Sequence, residues 1–114
     1  MFVELINNKG PRSAFRIGTY GGDENKKVHR IMFDLVLLLK INVNPGDRLR
    51  LMHNDDKTIL KFIKSQDYSG YKVSLVRPEK LGVISVRKFL NFDNGTKHFI
   101  PVIDESDHSI TINL

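Results

Sequence analysis

The chain has 114 residues, 40% of them apolar and 27% charged, with a net charge of +5 and no cysteine. That length bounds it to one domain with a modest core, and that balance excludes wholesale disorder. The missing cysteine excludes disulfides, thiolate catalysis and thiolate metal sites, and fits a reducing compartment.

Residues 2–6 read as a first strand, closed by the turn cluster Asn7-Asn8-Lys9-Gly10-Pro11. They are too short for a signal peptide, and the apolar run at 35–39 falls far short of the ~20 residues of a membrane span. A cytoplasmic protein without a membrane partner is expected. Residues 13–17 alternate weakly as a second strand, and 18–27 form a polar, glycine-containing loop. Residues 28–33 return to extended structure.

Asp34 followed by five apolar residues predicts a short buried helix over 34–40, with Asp34 able to cap it. A fully buried strand is the alternative. Asn44-Pro45-Gly46-Asp47 is a turn, with proline fixing φ and glycine taking the strained position. Residues 48–53 and 57–63 then form the clearest hairpin, with Leu49, Leu51, Ile59 or Leu60, and Phe62 on its apolar face.

Residues 65–70 link to a second half. Residues 71–76 alternate as a strand, Arg77-Pro78-Glu79-Lys80 is a turn, 83–86 is a strand, and 87–92 is read as one helical turn. Asn94-Gly95-Thr96 matches a glycosylation sequon but reads more simply as a tight hairpin turn. Residues 99–103 and 109–114 pair across an acidic tip. Leu51 to Ile59 and Val102 to Ile110 both span eight positions. That spacing predicts an internal duplication within one domain, 1–114, with halves 1–66 and 67–114. The plainer alternative is coincidence, which any all-β chain offers.

Ile41-Asn42-Val43-Asn44-Pro45-Gly46-Asp47-Arg48-Leu49-Arg50-Leu51 resembles the central motif of the AbrB/MazE-like swapped-hairpin family. There a strand and short helix lead into a Pro-Gly-Asp-type turn and a hairpin. The resemblance covers residues 28–64. It implies a mainly β fold: a small, pseudo-duplicated β-barrel of swapped-hairpin type with one or two short helices. It also implies a transcriptional regulator or antitoxin, and a homodimer unless the second half serves as internal partner. The chain has Asp34 where the family usually has proline, and Leu38 where it usually has a basic residue, so that DNA-contacting position does not carry over.

Charge is unevenly spread. Residues 57–88 carry eight cations against two acids, residues 9–30 six against two, and residues 89–114 one against four. A basic body suits an anionic partner; a solvated surface is the plainer alternative. Aromatic and basic residues interleave at Phe15, Arg16, Tyr20, Lys26 and Lys27, and again at Lys61, Phe62, Lys64, Tyr68, Tyr71 and Lys72. Cations neutralise phosphates and exposed rings stack on unpaired bases. Phe62 reads as core, while Tyr20, Tyr68 and Tyr71 stay open.

The histidines 29, 53, 98 and 108 lack ligand spacing, and the acidic clusters at 55–56 and 104–107 read as hairpin tips. Gly18-Thr19-Tyr20-Gly21 matches a GXXG clamp, but its flanks read as strands rather than helices. No nucleophile elbow or phosphate loop occurs. The expectation is a non-enzymatic nucleic-acid-binding protein without metal, cofactor or catalytic residues. Its expected contacts are Lys9, Arg12, Arg16, Lys26, Lys27 and Arg30. The alternative is a protein-binding module, such as a phage or mobile-element inhibitor or accessory factor, whose partner offers an acidic patch.

Overall fold

Alternation of apolar and polar side chains decides which face of each strand is buried. The computed structural model describes residues 14–77 and 80–114. The strand and turn expected over 2–11, and the middle of the turn expected at 77–80, lie outside the described residues. Among the described residues, ten strands form two antiparallel sheets of five. One holds β1 (Phe15–Tyr20), β2 (Val28–Asp34), β6 (Ser74–Val76), β7 (Leu81–Arg87) and β8 (Gly95–Phe99), in the order β6-β7-β2-β1-β8. The other holds β3 (Arg48–His53), β4 (Ile59–Lys64), β5 (Tyr71–Lys72), β9 (Pro101–Asp104) and β10 (Ser109–Asn113), in the order β5-β3-β4-β10-β9. The mainly β class is as expected; among the described residues the two sheets do not close into a barrel.

Their inner faces meet. Phe15, Ile17, Ile31, Phe33 and Ile84 of the first sheet pack against Leu49, Leu60, Phe62, Ile110 and Ile112 of the second, all fully buried. Phe62 lies 5.5 Å from Phe15 and 5.2 Å from Phe33 between ring centroids, both non-parallel, the arrangement that ring quadrupoles favour. Phe62 is therefore core, and Leu60 rather than Ile59 completes the inner face of its strand; Ile59 points outward at 40% exposure.

The short helix is real: α1 runs Leu35–Lys40 and buries Leu37 and Leu38. Asp34 stands at its N-cap but makes no side-chain cap bond. Its carboxylate faces Arg16 instead, at 3.7 Å. The turn after α1 closes on itself as the residue types suggest. The Asn44 N–H donates to the Asp47 carboxylate at 2.9 Å, and the Asp47 N–H donates to the Asn44 carbonyl at 2.9 Å.

Five expected elements differ, the first being the loop over 18–27, whose residues 18–20 belong to β1. The strand over 71–76 is split at Val73, which is 1% exposed and carries the chain from one sheet to the other. The strand over 99–103 is split in the same way: Phe99 ends β8 in the first sheet and Pro101 opens β9 in the second. Residues 88–92 form no helix, because Phe89 and Leu90 are drawn onto the core one after the other, and Asn94-Gly95-Thr96 leads into β8 rather than turning a hairpin.

The halves interleave. The two hairpins β3–β4 and β9–β10 meet at the β4–β10 pair, whereas the other sheet has β1 and β2 flanked by strands from beyond residue 66.

β5 reaches β3 through a close backbone approach. Gly70 has φ +90°, and a Cβ there would sit 2.4 Å from the Leu49 carbonyl oxygen. Gly70→Ala is therefore expected to cost about 1–3 kcal/mol, from strain and crowding against immobile backbone. Gly22→Ala, where a Cβ meets nothing within 4 Å, is expected to stay within about 0.5 kcal/mol. Urea midpoints of the two variants check this.

Candidate functional site

β5 pairs only with Arg48 and Leu49 of β3, and β6 only with residues 81–83 of β7. Past that point residues 50–53 of β3 and 84–87 of β7 have no strand beside them on this edge among the described residues. The two sheet edges part there and leave a cleft of about 350 Å³. Its walls are Leu51 and His53 from β3, Lys57 from the β3–β4 tip, Tyr71 from β5, and Val86, Arg87, Lys88 and Phe89 from the end of β7. Among the described residues no carboxylate lines it; Asp55 and Asp56 belong to the tip and are not wall residues.

The β3–β4 tip is built to place Lys57. The Asn54 side-chain oxygen accepts from the Thr58 and Ile59 N–H groups, each at 2.9 Å, and Lys57 takes a left-handed backbone at φ +56°. The Lys57 ammonium then donates to the Phe89 carbonyl at 3.4 Å, across the cleft. Arg87 alternates outward from buried Val86 and makes no ion pair among the described residues. Lys88 is held by Glu24 at 2.7 Å.

The cleft floor is pinned from below by His29, which is fully buried. The Leu90 N–H donates to His29 Nε2 at 3.1 Å. Nε2 is thereby the acceptor nitrogen, Nδ1 carries the hydrogen, and it donates to Thr19 Oγ1 at 3.0 Å. Phe89 stands edge-on to the His29 ring at 5.4 Å and stacks on the His53 ring at 6.0 Å. Burial, reinforced by the nearby Lys88 charge, pushes the His29 pKa below its ordinary 6.5. His29 is thus a strand histidine with a structural role.

The expected contact residues fall in different places. Lys9 and Arg12 lie outside the described residues. Arg16 is buried, its side chain 7% exposed and paired with Asp34. Lys27 lies 3.0 Å from Glu24, the same carboxylate that holds Lys88, and the Lys88 N–H donates to the Lys27 carbonyl. Hydrogen bonds from Lys88 and Lys27 lower the Glu24 pKa to about 2. Lys26 is exposed in the same loop, as is Arg30 on β2. Arg30 pairs with Ser85 and Val28 with Arg87, so Arg30 and Arg87 are diagonal neighbours on the outer face. The structure therefore gathers Lys27, Lys57, Arg87 and Lys88 at one end. Sequence reasoning missed Lys57, Arg87, Lys88, His53 and Phe89 as site residues. The pointers to them were the charge of segment 57–88 and the interleaved Tyr71.

Of the open tyrosines, Tyr71 lines the cleft and is 39% exposed, while Tyr68 is 93% exposed in the linking loop. Tyr20 lies across Gly18, where a Cβ would meet its ring at 2.5 Å, and its hydroxyl bonds Thr96. The acidic clusters are turn-forming: Asp104 accepts from the Ser106 N–H, Asp107 from the Ser109 hydroxyl and from Lys61. Among the described residues no three His, Asp or Glu side chains gather as a metal site.

In comparisons with protein-family models, curated proteins and solved structures, nothing matches this chain.

His29 makes stability pH-dependent. The folded state binds the His29 proton less readily than the unfolded state, so below about pH 6.5 the unfolded chain holds more protons. Stability is full above that pH and declines as pH falls, by at most ~1.4 kcal/mol per pH unit. His29→Gln is expected to flatten that limb between pH 7 and 5 while lowering stability at pH 7, measured by urea melts.

Proposed function

We propose that this chain is a non-enzymatic nucleic-acid-binding protein whose contact surface is the end that carries the cleft. One observation carries the reading: Lys57, Arg87 and Lys88 line the same cleft as Tyr71, Phe89 and His53, with no carboxylate in its walls among the described residues. Cations alone fit any anionic surface, and rings alone fit any apolar one. Their interleaving fits phosphates joined to bases. Lys26 and Arg30, both exposed, extend the positive surface from the neighbouring loop and strand, while Lys27 between them is paired with Glu24.

A narrower form of the proposal is a swapped-hairpin, AbrB-like regulator or antitoxin of the cytoplasm. What supports it is the order β2, α1, turn, β3, β4 across residues 28–64, with the Asp47 carboxylate bonded back into its turn. A protein-binding module would use the same cations, but no observation favours it specifically.

Binding to a labelled oligonucleotide, followed by fluorescence anisotropy, is expected to weaken as salt rises from about 50 to 200 mM, with a log–log slope near −0.7 to −0.9 per phosphate neutralised. A flat response defeats the proposal. Glu24→Gln frees Lys27 and Lys88 from their shared partner. It is expected to tighten binding about twofold to fivefold, the scale of one surface charge, and to steepen the salt slope.

A further inference from the structure

We infer that the cleft takes an unpaired nucleotide, so that the ligand is single-stranded rather than duplex nucleic acid. The inference rests on the nucleic-acid reading and specifies its substrate class. A duplex offers base edges in its grooves and phosphates outside, while the π-faces of its bases are covered by their neighbours. Aromatic walls gain nothing from such a ligand. A single strand exposes those faces, and stacking on protein rings then adds to phosphate contacts.

The cleft has the dimensions and chemistry for this. Its volume of about 350 Å³ lies within the range of small-ligand sites. Phe89 is held by an edge-to-face contact with His29 and by His53 stacked over one of its faces, so the ring is fixed in place before any ligand arrives. Tyr71, on β5 across the opening, is a second platform. The Lys57 ammonium sits on the Phe89 carbonyl, beside the ring a base would cover. Arg87 reaches the cleft from the outer face it shares with Arg30. The next phosphate along a strand thus has a cation waiting outside the cleft. That continuity favours a strand over a free nucleotide.

The test compares anisotropy titrations with a labelled single strand of about fifteen nucleotides, in DNA and RNA form, and a duplex of the same length. The single strand is expected to bind at least tenfold tighter. Tyr71→Ala is expected to weaken single-strand binding about tenfold and leave duplex binding unchanged, as loss of one stacking contact should; Tyr71→Phe is expected to restore it. Arg87→Ala is expected to weaken both probes and lower the salt slope by about one phosphate. Far-ultraviolet circular dichroism and melting of each variant check that it folds. His53→Ala, at an exposed position, is expected to reproduce part of the Tyr71→Ala loss. Duplex binding equal to or tighter than single-strand binding overturns the inference while leaving the nucleic-acid reading standing. No binding to either probe overturns both. Displacement of the strand by an equal concentration of a mononucleotide overturns the strand in favour of a free nucleotide.

Discussion

Val73 is the point at which the chain leaves one sheet for the other, and two backbone bonds fix where that happens. The Gly46 N–H donates to the Val73 carbonyl and the Val73 N–H donates to the Asp47 carbonyl, each at 2.8 Å. Both of Val73's backbone groups are thereby satisfied inside the protein, as a buried residue between two sheets requires. The partner is the Pro45-Gly46 turn, so the turn that follows α1 sets the level at which the sheets are joined on this edge. Room for the crossing comes from two glycines. At Gly70 a Cβ would strike Leu49 backbone; at Gly82 it would strike Leu38 of α1 and Val73 itself. The closed edge has a consequence at the other end of the same strands. β5 and β6 are spent at the crossing, and the remaining lengths of β3 and β7, paired on their inner sides with β4 and β2, have no strand on this edge among the described residues and separate. The cleft is what that separation leaves.

His29 connects this architecture to the cleft. A fully buried imidazole is tolerated only when both nitrogens are satisfied, and here one donates to Thr19 while the other accepts from the Leu90 backbone. The second bond reaches out of the strand to the segment that follows β7 and ties it over the inner face. Phe89, one residue earlier, is thereby held in a single position. Phe92 is fixed beyond it by stacking on Phe99 at 6.0 Å, with the Lys97 ammonium 4.8 Å from its ring centre. Both rings share His29 as a neighbour, at 5.4 and 6.0 Å, and each adds a second ring of its own, His53 for Phe89 and Phe99 for Phe92.

Alternation made most strands legible in the sequence, since residues 15–17, 28–33, 48–53 and 59–63 each place apolar side chains on one face, although β1 runs on to Tyr20 through residues expected as loop. The turn at 44–47 was legible because proline, glycine and aspartate each have one task there. The strand switches at Val73 and Ile100 were not. Period-two patterning reports which face is buried and continues unbroken when a strand passes from one sheet to another, because both sheets bury their faces in the same core. The candidate site was hidden for a related reason. Lys57 and Lys88 lie far apart in sequence and on different sheets, and only the packing of the two sheets on one core brings their strand ends together. The expected cluster near residues 26–30 does adjoin that end, through Glu24, whereas Arg16 is spent on the carboxylate of Asp34, the very group that capping logic assigned to α1.

Cations beside unpaired strands have a simpler explanation that must be weighed against recognition. An open sheet edge invites another strand, and lysine or arginine along it discourages such pairing. Lys57, Arg87 and Lys88 stand where β3 and β7 lose their neighbours, so they meet that need. Edge protection, however, has no use for rings. An exposed Tyr71 and a partly exposed Phe89 beside unpaired backbone groups add apolar surface where association is already favoured. A cleft shaped only by protection would surround its open edges with charge and withdraw its aromatics into the core, as this protein does with Phe15, Phe33 and Phe62. Here a buried hydrogen-bond network instead holds one aromatic at the floor of the opening. The cost of exposing it is offset if a ligand with flat rings and negative charge covers both features together.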